Sequence, residues 1–394
     1  MNRMIALSGV SATLALLPAC GNEPSSASGT AVAAERMAPR FEVDPFWPKP
    51  LPNHWILGSA IGVSVDSRDH VWIIHRPESL AADTEDTAGG TTAAGGCCTA
   101  APPILEFDPD GNLVSSWGGP GEGYDWPESN HGITVDPMDN VWIGGNGDND
   151  AQILKFTRTG TFLMQVGKPG ASTGSNDPAN FSRAAKISID MEANEAYVAD
   201  GYGNKRVVVI DMTTGAFKRY WGAYGNRPDD TDLGPYDAAA APAQQFRSPV
   251  HCADPTRDGL VYVCDRLNNR IQVFRKNGTF VRELIIAPQT LRAGSAWDIA
   301  FSNDPEQTYL YLADGMNRRI HVIERATMEV LTSFGEGGRQ PGQFFGVHSI
   351  ATDSSGNLYT TETWESRRIQ KFDYKGLAPI SAADQGTVWP SAEL

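Results

Sequence analysis

Positive charge is what this sequence has least of. Its 32 Lys and Arg residues are outnumbered by 47 Asp and Glu, a formal net charge of −15 over 394 residues. Such a chain has little with which to neutralise phosphates, so nucleic acid is excluded as a partner. The acidic residues fall at strand ends and turns, where they are solvated. Beyond the first residues no segment is long and apolar enough to span a membrane, and no long run shows the 3.6-residue apolar period of a helix. Cysteine and histidine are scarce, at 5 and 7 residues. Glycine (40) and proline (26) are plentiful, with 41% hydrophobic residues. That composition predicts many short strands closed by turns around a large core.

The first residues have the form of an export signal. Arg3 supplies a short positive region, Met4 to Leu17 is apolar, and Leu17-Pro18-Ala19-Cys20 resembles a lipobox. Residues 1–20 are therefore predicted to be a lipoprotein-type signal peptide with Cys20 as the lipidation site. The alternative is plain secretion with cleavage near Ala33 or Ala34. Residues 21–40, rich in Ser, Ala and Gly, read as a flexible tether. The predicted location is extracytoplasmic, in the periplasm or at the outer membrane, because Gly21-Asn22 puts no aspartate beside the cysteine. The membrane would be reached only through the lipid anchor. With Cys20 lipidated, four cysteines remain, which suits an oxidising compartment. Cys252 and Cys264 lie on neighbouring strands of one hairpin and are placed to bridge. Cys97 and Cys98 are adjacent in a Gly/Ala/Thr-rich loop and form either a vicinal disulfide or two thiols.

A unit recurs down the chain: a short strand ending in Asp, a Gly/Asn turn, a strand such as Val-Tyr-Val-Cys-Asp, an Asn-x-Arg turn, then two further strands. Six copies are recognisable, the first beginning at Ile61 and the sixth at Val347. Period-two strands in four-strand units of about 40 to 50 residues define an all-β, six-bladed β-propeller. It is predicted to occupy residues 41–376, with a tail at 377–394. The sixth unit has only three strands, and Phe41-Glu42-Val43 is available to complete it and close the ring. Two insertions, Pro77 to Pro102 and Ala223 to Ala243, are long enough to serve as lids or binding loops.

Three histidines share one register within these units. His131, His251 and His348 each precede the aromatic of the next strand (Trp142, Tyr262, Tyr359) by 11 residues. They belong to the second, fourth and sixth units, so the ring places them about 120° apart around the central channel. Three imidazoles converging at one height suit zinc or another divalent ion with an open coordination position. The odd units hold Ile61, Ala185 or Lys186, and Trp297 there, which are poor ligands. His54, His70, His75 and His321 share no register and read as surface or structural residues. Arg76, Tyr202 and Arg266 end second strands and should open on the same mouth. Arg206, Arg270, Arg318 and Arg368 sit where repeat arginines pair with blade carboxylates.

These residues make the chain similar to the NHL-repeat propeller of the peptidyl-α-hydroxyglycine α-amidating lyase family, over roughly Phe41 to Lys375. The family's zinc histidines match His131 in NHGITVD, His251 in SPVHCADP and His348 in GVHSIATD. Its catalytic tyrosine matches Tyr202 in ADGYGNKRV, and its two active-site arginines match Arg76 in IIHRPE and Arg266 in CDRLNNRIQVF. The resemblance implies a metal-dependent lyase that cleaves a carbinolamide C–N bond to an amide and a glyoxylate-like acid. Its partner would be a small-molecule or peptide substrate with a carboxylate. In that scheme zinc is the Lewis acid, Tyr202 the base aided by Arg266, and Arg76 the carboxylate partner. The pattern departs in two places. Gly346 stands where the family has a methionine, and Ser349 where it has an aspartate ligand of a structural calcium. Val63 and Ile133 still offer backbone carbonyls toward such a calcium. A non-catalytic extracytoplasmic propeller for binding or scaffolding, or a propeller lyase or hydrolase of another substrate, are the competing readings, since fold does not fix function.

Overall fold

A computed structural model describes residues 36–80 and 98–380. The predicted signal peptide, Cys20 and Cys97 lie outside the described residues. Six four-stranded antiparallel sheets form the blades of a propeller, and one two-stranded pairing, Trp55–Ile56 with Thr99–Ala100, stands apart from them. The inner strands in chain order are Ser59–Val65, Asn130–Val135, Ala184–Asp190, Val250–Pro255, Asp298–Phe301 and Val347–Thr352. Successive side chains on each strand face alternate sides, so both faces of a blade pack against its neighbours. The largest fully buried side chains include Trp72, Trp142, Tyr262 and Tyr359, one from the second strand of blades 1, 2, 4 and 6. Their polar ends are fixed at the turn preceding that strand: Trp72 and Trp142 donate to Asp66 and Asp136 at 3.0 Å, and Tyr359 donates to Asp353 at 3.0 Å.

The ring closes as the strand count required. Met37–Asp44 pairs antiparallel with Ile369–Pro379 and becomes the outer strand of blade 6. Both propeller boundaries shift outward from the expected 41–376. The strand begins at Met37 inside the predicted tether, and its partner runs to Pro379 inside the predicted tail. The cause is burial: Ala38 has no exposed surface and packs in one cluster with Phe41, Phe334 and Phe344. Composition alone had suggested a loose linker there.

Inward-facing carboxylates end the second strands and clamp the incoming loops. Asp200 pairs with Arg206 and Asp265 with Arg270, each at 2.8 Å and fully buried. Glu362 pairs with Arg368 at 2.5 Å. Blade 5 adds a histidine at this place. There Asp314 is met by Asn317 and His321, while Arg318 lies over the Phe345 ring at 5.3 Å. A disulfide joins Cys252 to Cys264 across the first two strands of blade 4. Cys98 is also disulfide-bonded.

Candidate metal centre and catalytic cluster

The inner strands are not regular where they enter the channel. The ladder slips between His131 and Ile133, between Val250 and Cys252, and between Val347 and Ser349. Blades 1 and 3 slip at the same height, between Ala60 and Gly62 and between Ala184 and Lys186. A bulge of this kind leaves a residue outside the ladder and re-aims its groups. In blades 4 and 6 the unpaired residue is the histidine itself; in blades 1 and 3 it is Ile61 and Ala185. The carbonyls of these odd-blade residues are then free to accept from the histidines.

They do so in a closed pattern. His131 donates through Nδ1 to the Ala185 carbonyl at 2.6 Å, and His251 through Nδ1 to the Trp297 carbonyl at 2.5 Å. His348 bonds the Ile61 carbonyl and meets Ser349 Oγ at 3.3 Å. A carbonyl only accepts, so each Nδ1 carries the proton and each Nε2 presents a lone pair to the channel. The three rings stand 4.8 to 5.1 Å apart, centroid to centroid, and are buried. Burial pushes all three imidazoles well below the ordinary histidine range; the cation of Arg266 pushes all three the same way, and that of Arg76 adds to it at His131 and His348.

The coordinating atoms of His131, His251 and His348 lie within 4.8 Å of one another. The Tyr202 hydroxyl stands between two of them, 3.0 Å from His131 Nε2 and 3.1 Å from His251 Nε2, and Arg266 donates to it at 3.0 Å. One hydroxyl has one proton, so it satisfies at most one of those two nitrogens. Converging neutral imidazoles with a lone pair in excess are the donor set a divalent cation fits. The three histidines form a buried cluster able to bind a metal.

The strand-end residues surround this point. Tyr202 follows Glu195–Asp200, and its main-chain oxygen accepts from Ser248 Oγ at 2.7 Å. Arg266 follows Leu260–Asp265, lies 4.4 Å over the Trp297 ring, and leaves its buried Nε without a partner. Arg76 ends Val71–Arg76, donating to the Asn130 carbonyl at 2.9 Å and to Asn146 Oδ1 at 2.7 Å. All six sequence-derived site residues therefore meet at one mouth of the channel. Asn130, beside His131, adds a buried Oδ1 with no partner. Sequence reasoning missed Asn130, Asn146 and Trp364. Trp364 lies 5.5 Å from Trp297, and its Cε3 is 2.6 Å from where a Cβ at Gly346 would sit. The methionine that the resemblance led one to expect at that place is thus replaced by an indole from a neighbouring loop.

The calcium implied by the resemblance does not fit. Below the histidines a cavity of about 10 Å³ is lined by Val63, Ile133, Ser349, Lys186 and Asp298. Lys186 places its ammonium 2.6 Å from Asp298 and 3.0 Å from Asp254. Burial opposes its charge, but the two carboxylates hold its pKa above the ordinary lysine range. The channel already contains its cation, and Ser349 Oγ donates to the Ile61 carbonyl at 3.1 Å.

The remaining histidines are structural, with His54 exposed. His75 is buried, accepts from the Gly58 N–H at 3.1 Å and donates to the Pro102 carbonyl at 2.9 Å; burial pushes its pKa down to about 4. His70 joins Asp66 and Glu106 in a cluster whose carboxylates both pair with Arg158. His321 bonds Asp314.

Gly132 is the residue skipped in the blade 2 ladder. Its φ is +70°, and a Cβ there would lie 2.4 Å from the Ala185 carbonyl oxygen that holds His131. Gly132→Ala should therefore displace that oxygen and weaken metal binding by about 10- to 100-fold, the usual effect of losing an outer hydrogen-bond partner. Competition against a chelating dye measures it, and unchanged affinity would show that the Ala185 carbonyl does not orient the ligand.

Fold and site together define an all-β, six-bladed propeller with a buried three-histidine cluster able to bind a metal at one channel mouth. No protein-family model matches the chain. It is 26% identical over 357 residues to peptidyl-alpha-hydroxyglycine alpha-amidating lyase 1 of Drosophila melanogaster, an alignment covering 85% of this chain and 60% of that protein's length. It is 24% identical over 323 residues to NHL repeat-containing protein 3 of Mus musculus, covering 79% of this chain and 75% of the other. A crystal structure of a Bacteroides thetaiotaomicron protein of unknown function shares the fold at 12% identity, with a TM-score of 0.51 over 86% of this chain and 77% of the other.

Proposed function

We propose that this protein is a carbon–nitrogen lyase that splits an N-acyl-α-hydroxyglycine into an amide and glyoxylate. The observation that carries the reading is the position of the Tyr202 hydroxyl, which touches His131, His251 and Arg266 at once. Bound to the three imidazoles, zinc or a similar divalent ion would supply Lewis acidity toward a substrate oxygen. Arg76, held by Asn130 and Asn146, offers a guanidinium for the substrate carboxylate. Tyr202, its oxygen held by the Arg266 guanidinium, takes the proton of the substrate hydroxyl. The O–H electron pair becomes the aldehyde C=O, the C–N bond breaks, and the nitrogen leaves as the amide after receiving the proton from Tyr202. Trp297, packed edge to face against Trp364, lies beneath the Arg266 guanidinium beside this point.

The distant similarity to an amidating lyase supports this reading, and the whole of that enzyme's activity is a proposal for a chain spanning 60% of its length. The Cys252–Cys264 bridge supports the accompanying proposal that the propeller works outside the cytoplasm, tethered through Cys20 or secreted. The test is release of glyoxylate from N-benzoyl-α-hydroxyglycine above the spontaneous rate. Activity lost to a chelator and restored by zinc is the expected result. A rate equal to the uncatalysed one with metal-loaded protein would overturn the proposal.

A further inference from the structure

Beside the catalytic cluster, on the same mouth, the connection that enters blade 4 builds a second feature. A cavity of about 520 Å³ lies between that connection and the turns of blades 3 to 5, within the range of small-molecule sites. Leu267, Leu291 and Tyr236 give it apolar walls, and Lys205, Arg247 and Arg292 line it with three cations against one acid, Asp232. In a chain of net charge −15, this local reversal of sign is a specific feature of the site.

Lys205 and Arg247 donate to neutral oxygens at this site. Lys205 Nζ donates to the carbonyls of Asp230 and Thr231, at 3.2 and 2.6 Å. Arg247 donates to Asn268 Oδ1 at 3.1 Å and to the Gly234 carbonyl, and lies 6.0 Å from the Tyr236 ring. Arg292 is exposed at the rim. The cavity is also joined to the chemistry. Leu267 follows Arg266 directly in the chain, and Ser248, another wall residue, donates to the Tyr202 main-chain oxygen at 2.7 Å.

We infer that this cavity is the subsite for the acyl portion of the amide, and that it selects an apolar acyl group bearing a carboxylate. The inference rests on the proposed reaction for its orientation. The glycine carboxylate meets Arg76 on the blade 1 side, and the acyl group runs past Tyr202 toward blades 3 to 5. The apolar walls take the body of the group, and the three cations, which outnumber the one acid of the lining, take its anionic end.

Product-type amides test the subsite without turnover. Calorimetric titration of the metal-loaded protein should show 4-carboxybenzamide binding at least about 10-fold more tightly than benzamide, and 4-(aminomethyl)benzamide more weakly than either. Arg292→Glu, a rim substitution outside the catalytic cluster, should abolish the preference for the carboxylate while leaving benzamide affinity unchanged. Equal affinity for the three amides would overturn the inference, as would an Arg292→Glu protein that keeps the preference. The corresponding three acyl-α-hydroxyglycines separate the two readings. Glyoxylate released from all three with equal kcat/KM sinks the subsite and spares the reaction. Intact binding preference with no glyoxylate from any of them sinks the reaction.

Discussion

Purified His251→Ala protein should contain essentially no divalent metal, whereas the unaltered chain should hold about one ion, the stoichiometry of a three-imidazole site. His251 is one of three inward Nε2 donors and stands within 5.1 Å, ring to ring, of both others. Its removal leaves two donors and an open cavity, so affinity should fall by more than the roughly 10- to 100-fold that an outer partner controls. The variant should still fold. Its direct structural losses are the contact to the Tyr202 hydroxyl and the hydrogen bond to the Trp297 carbonyl, the latter about 1–3 kcal/mol for a buried acceptor left unpaired. That is small beside the packing of six interlocked blades. Elemental analysis alongside circular dichroism checks both halves. A folded variant that retains its metal, or wild-type protein that never takes one up, would remove the metal centre from the account.

Tyr202→Phe should lower kcat by about 10²- to 10⁴-fold, the range for removing a positioned acid–base group, with little change in KM. The substitution keeps the ring, which packs 4.9 Å from His131 and 5.6 Å from His251, and removes only the hydroxyl and its three polar contacts. Metal content should be unchanged, which separates this variant from His251→Ala. Single-turnover glyoxylate release is the direct measurement. A rate matching wild type would show that another group takes the proton.

The repeat made most of the architecture legible in advance. Alternating strands, Asp-ended turns and the shared 11-residue spacing of His131, His251 and His348 are properties of side chains, and side chains are what a sequence records. Tyr202, Arg76 and Arg266 were legible for the same reason, since each ends a second strand. What escaped was carried by the backbone. Ile61, Ala185 and Trp297 are poor ligands as side chains, yet their carbonyls hold the three imidazoles in register. No residue type announces a free carbonyl. Long-range substitution was equally hidden. Trp364 fills the space beside Gly346, and Lys186 brings its own charge to Asp254 and Asp298.

The pairing of Met37–Asp44 with Ile369–Pro379 has a consequence for the order in which the protein is made. Its first described strand can be seated only once its partner, the final strand of the ring, has been made. His348 sits on the sheet that this pairing completes, while His131 and His251 belong to blades assembled from contiguous chain. The blade that carries the third imidazole is thus the one built from both ends of the chain. A chain cut short before Ile369 keeps His348 on a two-stranded hairpin but has no strand for Met37–Asp44 to join.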